Sequence, residues 1–389
     1  MTTYEGEQTD MGEKSLTRQS RIAYRRSRDR NLRAALRRTL WSAVVRFLND
    51  SNLPYCILGA AFREPDLAAC DVDFVVRPDD FGAVPQLLCS AAASVGGKLV
   101  QAIDHEATAT YFAIAIQQGA VVAFLHPDCT TDYRRQSRLW MSAEELLSGR
   151  RRVPGGYFRP APDVEFEYYL TKQVLKRTVS SRQWEKLTAL YQTADDLREA
   201  LSWWRLANAA QIDQALRRDD WETFRNLVPH LHHELINSPE REGAPARAAS
   251  FASDAARVLT RVTGPTGLFV QISDGTLDER AEMAHRLAKA LAPAFRRSSV
   301  MVSSNPAKVG RALVESTLFV SPKEKIPFRT LYGGIDLRWR ATLSPEKNFE
   351  RALAGVLAYL SQRTMRRLEL QSLPSQRLEL NTLADTTVH

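Results

Sequence analysis

The sequence predicts an α/β protein in three parts: an α+β domain over 30–160, a helical segment over 161–236 and a smaller α/β domain over 251–375. Three observations carry this expectation. The apolar run Tyr55-Cys56-Ile57-Leu58 ends at Gly59, and a second strand-like stretch, Cys70-Asp71-Val72-Asp73-Phe74-Val75-Val76, alternates acids with apolar residues. From Asp163 to Arg218 apolar residues recur at helical spacing. Gly267-Leu268-Phe269-Val270-Gln271-Ile272-Ser273-Asp274-Gly275 then reads as a strand entering a glycine turn ahead of another helix. At 389 residues the chain exceeds one ordinary core.

Residues 1–29 are polar, arginine-rich and expected to be flexible. Leu32, Leu36, Leu40, Trp41, Val44, Val45 and Leu48 predict a helix over 30–49, which Asn52-Leu53-Pro54 ends. Strands are expected at 55–58 and 71–76, joined by a connection holding Arg63, Glu64 and Asp66. A helix over 80–94 stops at Gly96-Gly97, and strands follow at 98–103, 108–116 and 120–125. His126-Pro127-Asp128 is expected to open an irregular segment. Ser142 and Glu145 predict a capping box on a short helix, and 150–156 reads as a polar loop.

The aromatics of the helical segment stand at core spacing, and its closing His230, His232 and His233 lack a carboxylate partner at metal-ligand spacing. Prolines, glycine and small residues mark 237–250 as a linker. Beyond it the pattern predicts a helix near 250–260, the strand 268–272, a helix over 277–291, strands at 298–303 and 316–320, and a helix over 349–370. A flexible tail is expected over 376–389.

Lysine and arginine total 53 against 45 acids, a formal net charge of +8 that suits phosphates, nucleic acid or an anionic surface without choosing among them. Cys56, Cys70, Cys89 and Cys129 show no paired metal-ligand spacing, and Cys56 and Cys70 read as small buried hydrophobes. No apolar run is long enough to span a bilayer, and no basic-then-apolar leader opens the chain, so a cytoplasmic location is expected.

Asp71 and Asp73 are the candidate chemistry. Strand periodicity puts them on one face while Val72 and Phe74 take the other. Adjacent acids repel, and a fold tolerates them most easily where a cation is held. With Gly59 behind them, this is the layout of a metal-dependent nucleotidyl-transfer site.

The segment 55–76 resembles the nucleotidyltransferase fold of the polymerase-β-like superfamily. The longer run through His126-Pro127-Asp128, Asp132-Tyr133-Arg134-Arg135, 141–147 and 167–176 resembles bacterial proteins of exopolysaccharide or capsule gene clusters. Those proteins fuse such a domain to a thymidylate-kinase-like one. The resemblance implies a nucleotidyltransferase-like domain, a helical middle and a truncated P-loop-kinase-like α/β domain. It implies that Asp71 and Asp73 hold Mg²⁺ for an NTP, that Gly59 is the turn glycine, and that Lys172 and Lys176 approach the nucleotide's phosphates. The implied substrates are a nucleotide and a small acceptor, and the implied partners are polysaccharide-biosynthesis proteins.

On this alignment Phe124 matches the third carboxylate of such sites and cannot bind a metal. Asp128, four residues on, is the candidate to replace it, and Asp104 is another. In the last part, Asp278 stands where a phosphate-binding loop carries lysine, and Glu279 where it carries a hydroxyl residue. That part is expected to have lost kinase chemistry. Two further readings remain: a pseudoenzyme that regulates or scaffolds polysaccharide assembly, and a nucleic-acid-binding module built on the N-terminal arginines, the less favoured of the two.

Overall fold

The protein is described by a computed structural model covering residues 18–59, 71–106, 108–135, 137–194, 196–198, 200–238, 241–263, 266–300, 316–322 and 334–385. Arg63, Glu64, Asp66 and Cys70 lie outside these residues.

Helix α1 (Arg18–Asp50) leads into strands β1 (Tyr55–Ile57) and β2 (Val72–Val76). A 3₁₀ turn (Pro78–Ala83) and α2 (Val84–Ala93) follow, then β3 (Lys98–Glu106), β4 (Ala109–Gln118), β5 (Val121–Leu125) and β6 (Pro127–Thr130). These six strands form one mixed sheet in the order β1-β2-β6-β4-β3, with β5 also on β4. β5 and β6 are one line of chain interrupted at His126, where Pro127 has no amide hydrogen to give. The segment expected to be irregular is therefore sheet, and β6 runs parallel to β2 at its centre.

Alternation along the strands gives this sheet two different faces. Val72, Phe74, Leu99, Phe112, Ile114, Leu125 and Cys129 pack beneath α1 and α2 against Leu40, Val44, Leu48 and Leu88. The opposite face carries Cys56, Leu58 and Val75 at one end and Val100, Ala113, Ala115, Val122 and Phe124 at the other.

The hairpin β7 (Tyr133–Arg135) and β8 (Arg138–Met141) comes next. It is followed by α3 (Ala143–Leu147), whose Ser142–Glu145 capping box is present. The 150–156 segment forms a small ladder between β9 (Arg151–Arg152) and β10 (Phe158–Arg159), not an open loop. Helices α4 (Pro162–Lys176), α5 (Ser181–Thr193), α6 (Leu206–Arg217) and α7 (Trp221–Asn237) enclose Phe166, Leu170, Leu187, Ile212, Phe224 and Leu231. The histidines at the end of α7 are surface groups; His232 meets the Arg177 guanidinium at 3.2 Å.

The stretch taken as a linker is mostly helix. α8 (Ala244–Thr263) begins inside it, because its small residues are alanines and Pro245 stands at the helix start. β11 (Leu268–Ser273), α9 (Leu277–Leu291), β12 (Arg297–Val300), β13 (Thr317–Ser321) and β14 (Gly334–Arg338) build a parallel sheet in the order β12-β13-β11-β14. The last helix, α10 (Pro345–Asp385), outruns the predicted 349–370 at both ends and covers part of the tail expected to be flexible.

The two α/β parts are not separately cored. Val122 and Phe124 of the first sheet share one cluster with Leu268, Val270, Leu287, Leu353 and Val356. Helix α10 ties the halves further: Thr364 donates to the Val100 carbonyl at 2.9 Å, and Arg363 donates to the Gly267 carbonyl at 2.7 Å.

Candidate functional site

The acids lie on the second face of the first sheet, between the α3–α4 cover and the smaller α/β part. β2 and β6 pair in parallel with Asp73 opposite Asp128, so their backbones stand about 4.8 Å apart. Val75 belongs to the second-face cluster, and Cys129 to the first-face core; Asp73 and Asp128 therefore point together. Asp71 precedes β2 on the same parity. The place beside Asp73 is filled by Asp128, and Phe124 pairs with Ala115 on β4, buried against the smaller α/β part. The four-residue offset arises because the interrupted β5–β6 line carries the chain past Phe124 before it meets β2. Asp104 sits on the edge strand β3 and accepts from Thr110 at 2.6 Å.

Each of the three acids faces a base. Asp71 Oδ1 stands 3.2 Å from His126 Nδ1, Asp73 Oδ2 accepts from Lys172 Nζ at 2.7 Å, and Asp128 Oδ2 stands 3.6 Å from His105 Nε2. Burial, and then the charge of Asp73, push the Asp128 carboxyl up to about 7 against the pull of Lys172. Burial acts to lower the Lys172 ammonium. Tyr168 and Asp73 outweigh it and hold that ammonium well above the usual lysine range. Lys172 also donates to Tyr168 Oη at 2.9 Å, one helical turn back on α4.

Lys176, a turn further along and exposed, is lowered by partial burial and then by the charge of Lys172. Gly59 ends β1 with φ +61°, in the left-handed region, while the preceding Leu58 amide donates to the Asp73 carbonyl at 2.8 Å. The turn is thus tied to the acid strand.

Lys186, on α5, donates to the Gly59 carbonyl and lies 4.6 Å over the Tyr169 ring. Burial lowers it to about 8. Neither Lys186 nor the three histidine and tyrosine partners stood out in the sequence. His126 lay inside a quoted motif, but nothing in the spacing of α5 reveals that it returns to Gly59.

Among the described residues no group of three or more His, Cys, Asp and Glu side chains is assembled to hold a metal. The pair Asp73 and Asp128 nevertheless fits one divalent cation chemically. Two carboxylates in register, one driven toward neutrality by burial and its neighbour, are answered by the single charge of Lys172. Asp71, 64% exposed and turned to His126, stands beside that pair and not within it.

The smaller α/β part presents a strand–turn–helix with different contents. Asp274 and Gly275 take φ +61° and +77°, and Thr276 caps α9. Glu279 accepts from the Thr276 amide at 2.8 Å, completing a capping box. Ser273 donates to Asp336 at 3.0 Å. The Thr276 and Glu279 amides and the Ser273 hydroxyl are thus engaged within the loop itself.

Among the described residues no helix is long and apolar enough to cross a membrane. No family model, curated protein or solved structure matches the chain.

Proposed function

We propose that the β2–β6 face binds a nucleoside triphosphate and transfers its nucleotidyl group to a hydroxyl of a small acceptor. One observation carries the reading: Asp128 stands in register beside Asp73, and Lys172 from α4 donates to Asp73 and pulls electrostatically on Asp128. Asp73 and Asp128 are the residues that would hold Mg²⁺. When bound, the cation supplies positive charge for the departing pyrophosphate. Lys172 and Lys176 face the phosphates, and Gly59 lets the backbone turn close to them. Asp71, the most exposed acid and backed by His126 Nδ1, takes the proton of the acceptor hydroxyl as its oxygen bonds to the α-phosphorus and the bond to pyrophosphate breaks. A sugar acceptor, and a place in exopolysaccharide or capsule assembly, rest on the sequence resemblance.

The test is Mg²⁺-dependent release of pyrophosphate from each of the four NTPs with candidate acceptors. Asp73→Ala and Asp128→Asn should each abolish it; unchanged turnover in either variant would sink the reading.

A second reading, a pseudoenzyme that regulates or scaffolds polysaccharide assembly, is favoured by the base that each acid already has. It expects the Asp71→Asn, Asp73→Asn double variant to retain the cellular role at normal protein level, and loss of polysaccharide there would refute it.

A further inference from the structure

The first described side chain of α1 that packs into a core is Leu32. Ahead of it the helix backbone from residue 18 to 31 extends about 21 Å, at 1.5 Å per residue. Arg26, Arg28, Arg30, Arg33 and Arg38 are exposed and Arg37 half-buried, and none of the six makes a hydrogen bond or ion pair among the described residues. Asp29 is the one acid between residues 18 and 49. Arg26, Arg30, Arg33 and Arg37 recur at spacings of four, three and four, on one side of the helix about 5–6 Å apart. Arg28 and Arg38 lie round the other side. Like charges at these spacings destabilise an isolated helix, by about 0.2–0.5 kcal/mol per pair. A helix stretch with so many like charges is relieved by a polyanion beside it.

We infer that the arginine-rich N-terminal part of α1, through Arg38, is a docking arm for a nucleic-acid duplex, entering the major groove with its exposed arginines against the phosphate walls. An α-helix with side chains is about 10–12 Å across and the B-DNA major groove about 12 Å wide. The deep, narrow major groove of an RNA helix does not admit it. A single strand is a poorer fit, since such sites stack bases on aromatic rings and the arm offers Tyr24 alone. A membrane surface is also a poorer fit. Ile22, Ala23 and Tyr24 are consecutive and so spread around the helix, not gathered on one face. The inference is independent of the carboxylate site.

The experiment titrates the full chain against a fluorescent 20-base-pair DNA duplex between 50 and 200 mM salt. Its controls are the same sequence as a single strand and phosphatidylserine vesicles. Six phosphate contacts give a slope of log K against log salt near −5, about −0.9 for each. Arg26→Gln, Arg30→Gln, Arg33→Gln and Arg37→Gln together should flatten it by about 3 to 4, without loss of thermal stability, since the substitutions also remove like-charge repulsion. Arg30→Gln alone should flatten it by about 1. An unchanged slope in both variants overturns the arm. Equal affinity for the single strand overturns the groove, and binding to vesicles without binding to duplex overturns nucleic acid in favour of an anionic surface.

Discussion

Both sheets of this protein bring carboxylates to the end of a strand that faces a helix, and the two sets of acids are used in opposite ways. Asp73 and Asp128 stand on neighbouring strands, side by side and partly buried, with a lysine borrowed from α4. Asp278 and Glu279 stand in the first turn of α9, where free amides and the helix dipole favour negative charge, and Glu279 completes the cap. The first pair is a charge excess that asks for a cation; in the second, Glu279 is already satisfied by the Thr276 amide. What an acid next to a strand end can do follows from the groups that face it, which residue type and spacing leave open.

The largest expected loss of stability comes from removing the cation of the first pair. Lys172→Met leaves Asp73 beside Asp128 uncompensated; breaking a fully buried pair from one side costs about 3–5 kcal/mol, and this partly buried one should cost about 2–3 kcal/mol. Adding Asp73→Asn to that variant should restore much of the loss, because the orphaned charge goes with it. Urea unfolding of the full chain measures both. A loss below about 1 kcal/mol in Lys172→Met would place the acids in water and erase the contrast with α9.

Next is the pH dependence of Asp128. Its folded value of about 7 lies above the 3.8 of a free aspartate, so the folded state holds the proton longer than the unfolded state does. The ionised carboxyl therefore destabilises the fold increasingly as pH rises from about 4 to 7 and by a constant amount above that. Asp128→Asn should match the parent below pH 4 and exceed it by up to about 4 kcal/mol at pH 8, at 1.36 kcal/mol per pKa unit. A difference that is constant with pH would contradict the assignment. If Asp73 and Asp128 hold Mg²⁺, the cation should also raise the melting temperature of the parent at pH 8 and leave Asp128→Asn unmoved.

The two turn glycines sharpen the same comparison. Both take left-handed angles, but a Cβ on Gly275 would meet Trp339 carbons at 2.9 Å, while one on Gly59 would meet only the tip of Lys186 at 3.0 Å. Gly275→Ala should cost about 1–3 kcal/mol and Gly59→Ala about 1–2, the latter because Lys186 can swing aside. Thermal unfolding distinguishes them; equal losses would mean that backbone angle alone sets the cost.

Much of this was legible in the sequence, and the misses share a cause. β11 and α9 fall where the apolar run 268–272 and the helical pattern 277–291 place them, and the Ser142–Glu145 box is equally local. Local patterns carry local structure. The sequence could name Asp128 only as a candidate beside Asp73, because strand order is a long-range property: only pairing decides that Asp128, and not Phe124, meets β2. His126, His105 and Lys186 join the site by the same route, arriving from β5–β6, β3 and α5. The linker reading failed because alanines were counted as small residues and not as helix formers. That the two α/β parts share a core was invisible, since Val122 and Phe124 look like ordinary strand interior whichever partner covers them.

The smallest effects belong to the α9 cap, and they separate two reasons why that turn should refuse phosphate. Thr276 accepts from the Glu279 amide at 3.3 Å, and Glu279 returns the bond to Thr276, so Thr276→Ala should cost about 0.5–2 kcal/mol. Glu279→Gln retains an oxygen that can accept the same amide and loses the dipole term alone, about 0.3–1 kcal/mol for an exposed group. If phosphate is kept out because the Glu279 amide is engaged by Thr276, Glu279→Gln, which leaves that bond in place, will not bind ATP, and the parent will not either. If it is kept out by charge, Glu279→Gln should gain measurable ATP binding while keeping nearly full stability. We expect the first outcome, because the Thr276 hydroxyl keeps the Glu279 amide in that variant and Gly275 is pressed against Trp339, leaving the loop no freedom to open. Calorimetric titration of ATP into the full-length Glu279→Gln variant decides it: a sub-millimolar dissociation constant absent from the parent would make charge the barrier and would bring the two acid sites closer in kind than their geometry suggests.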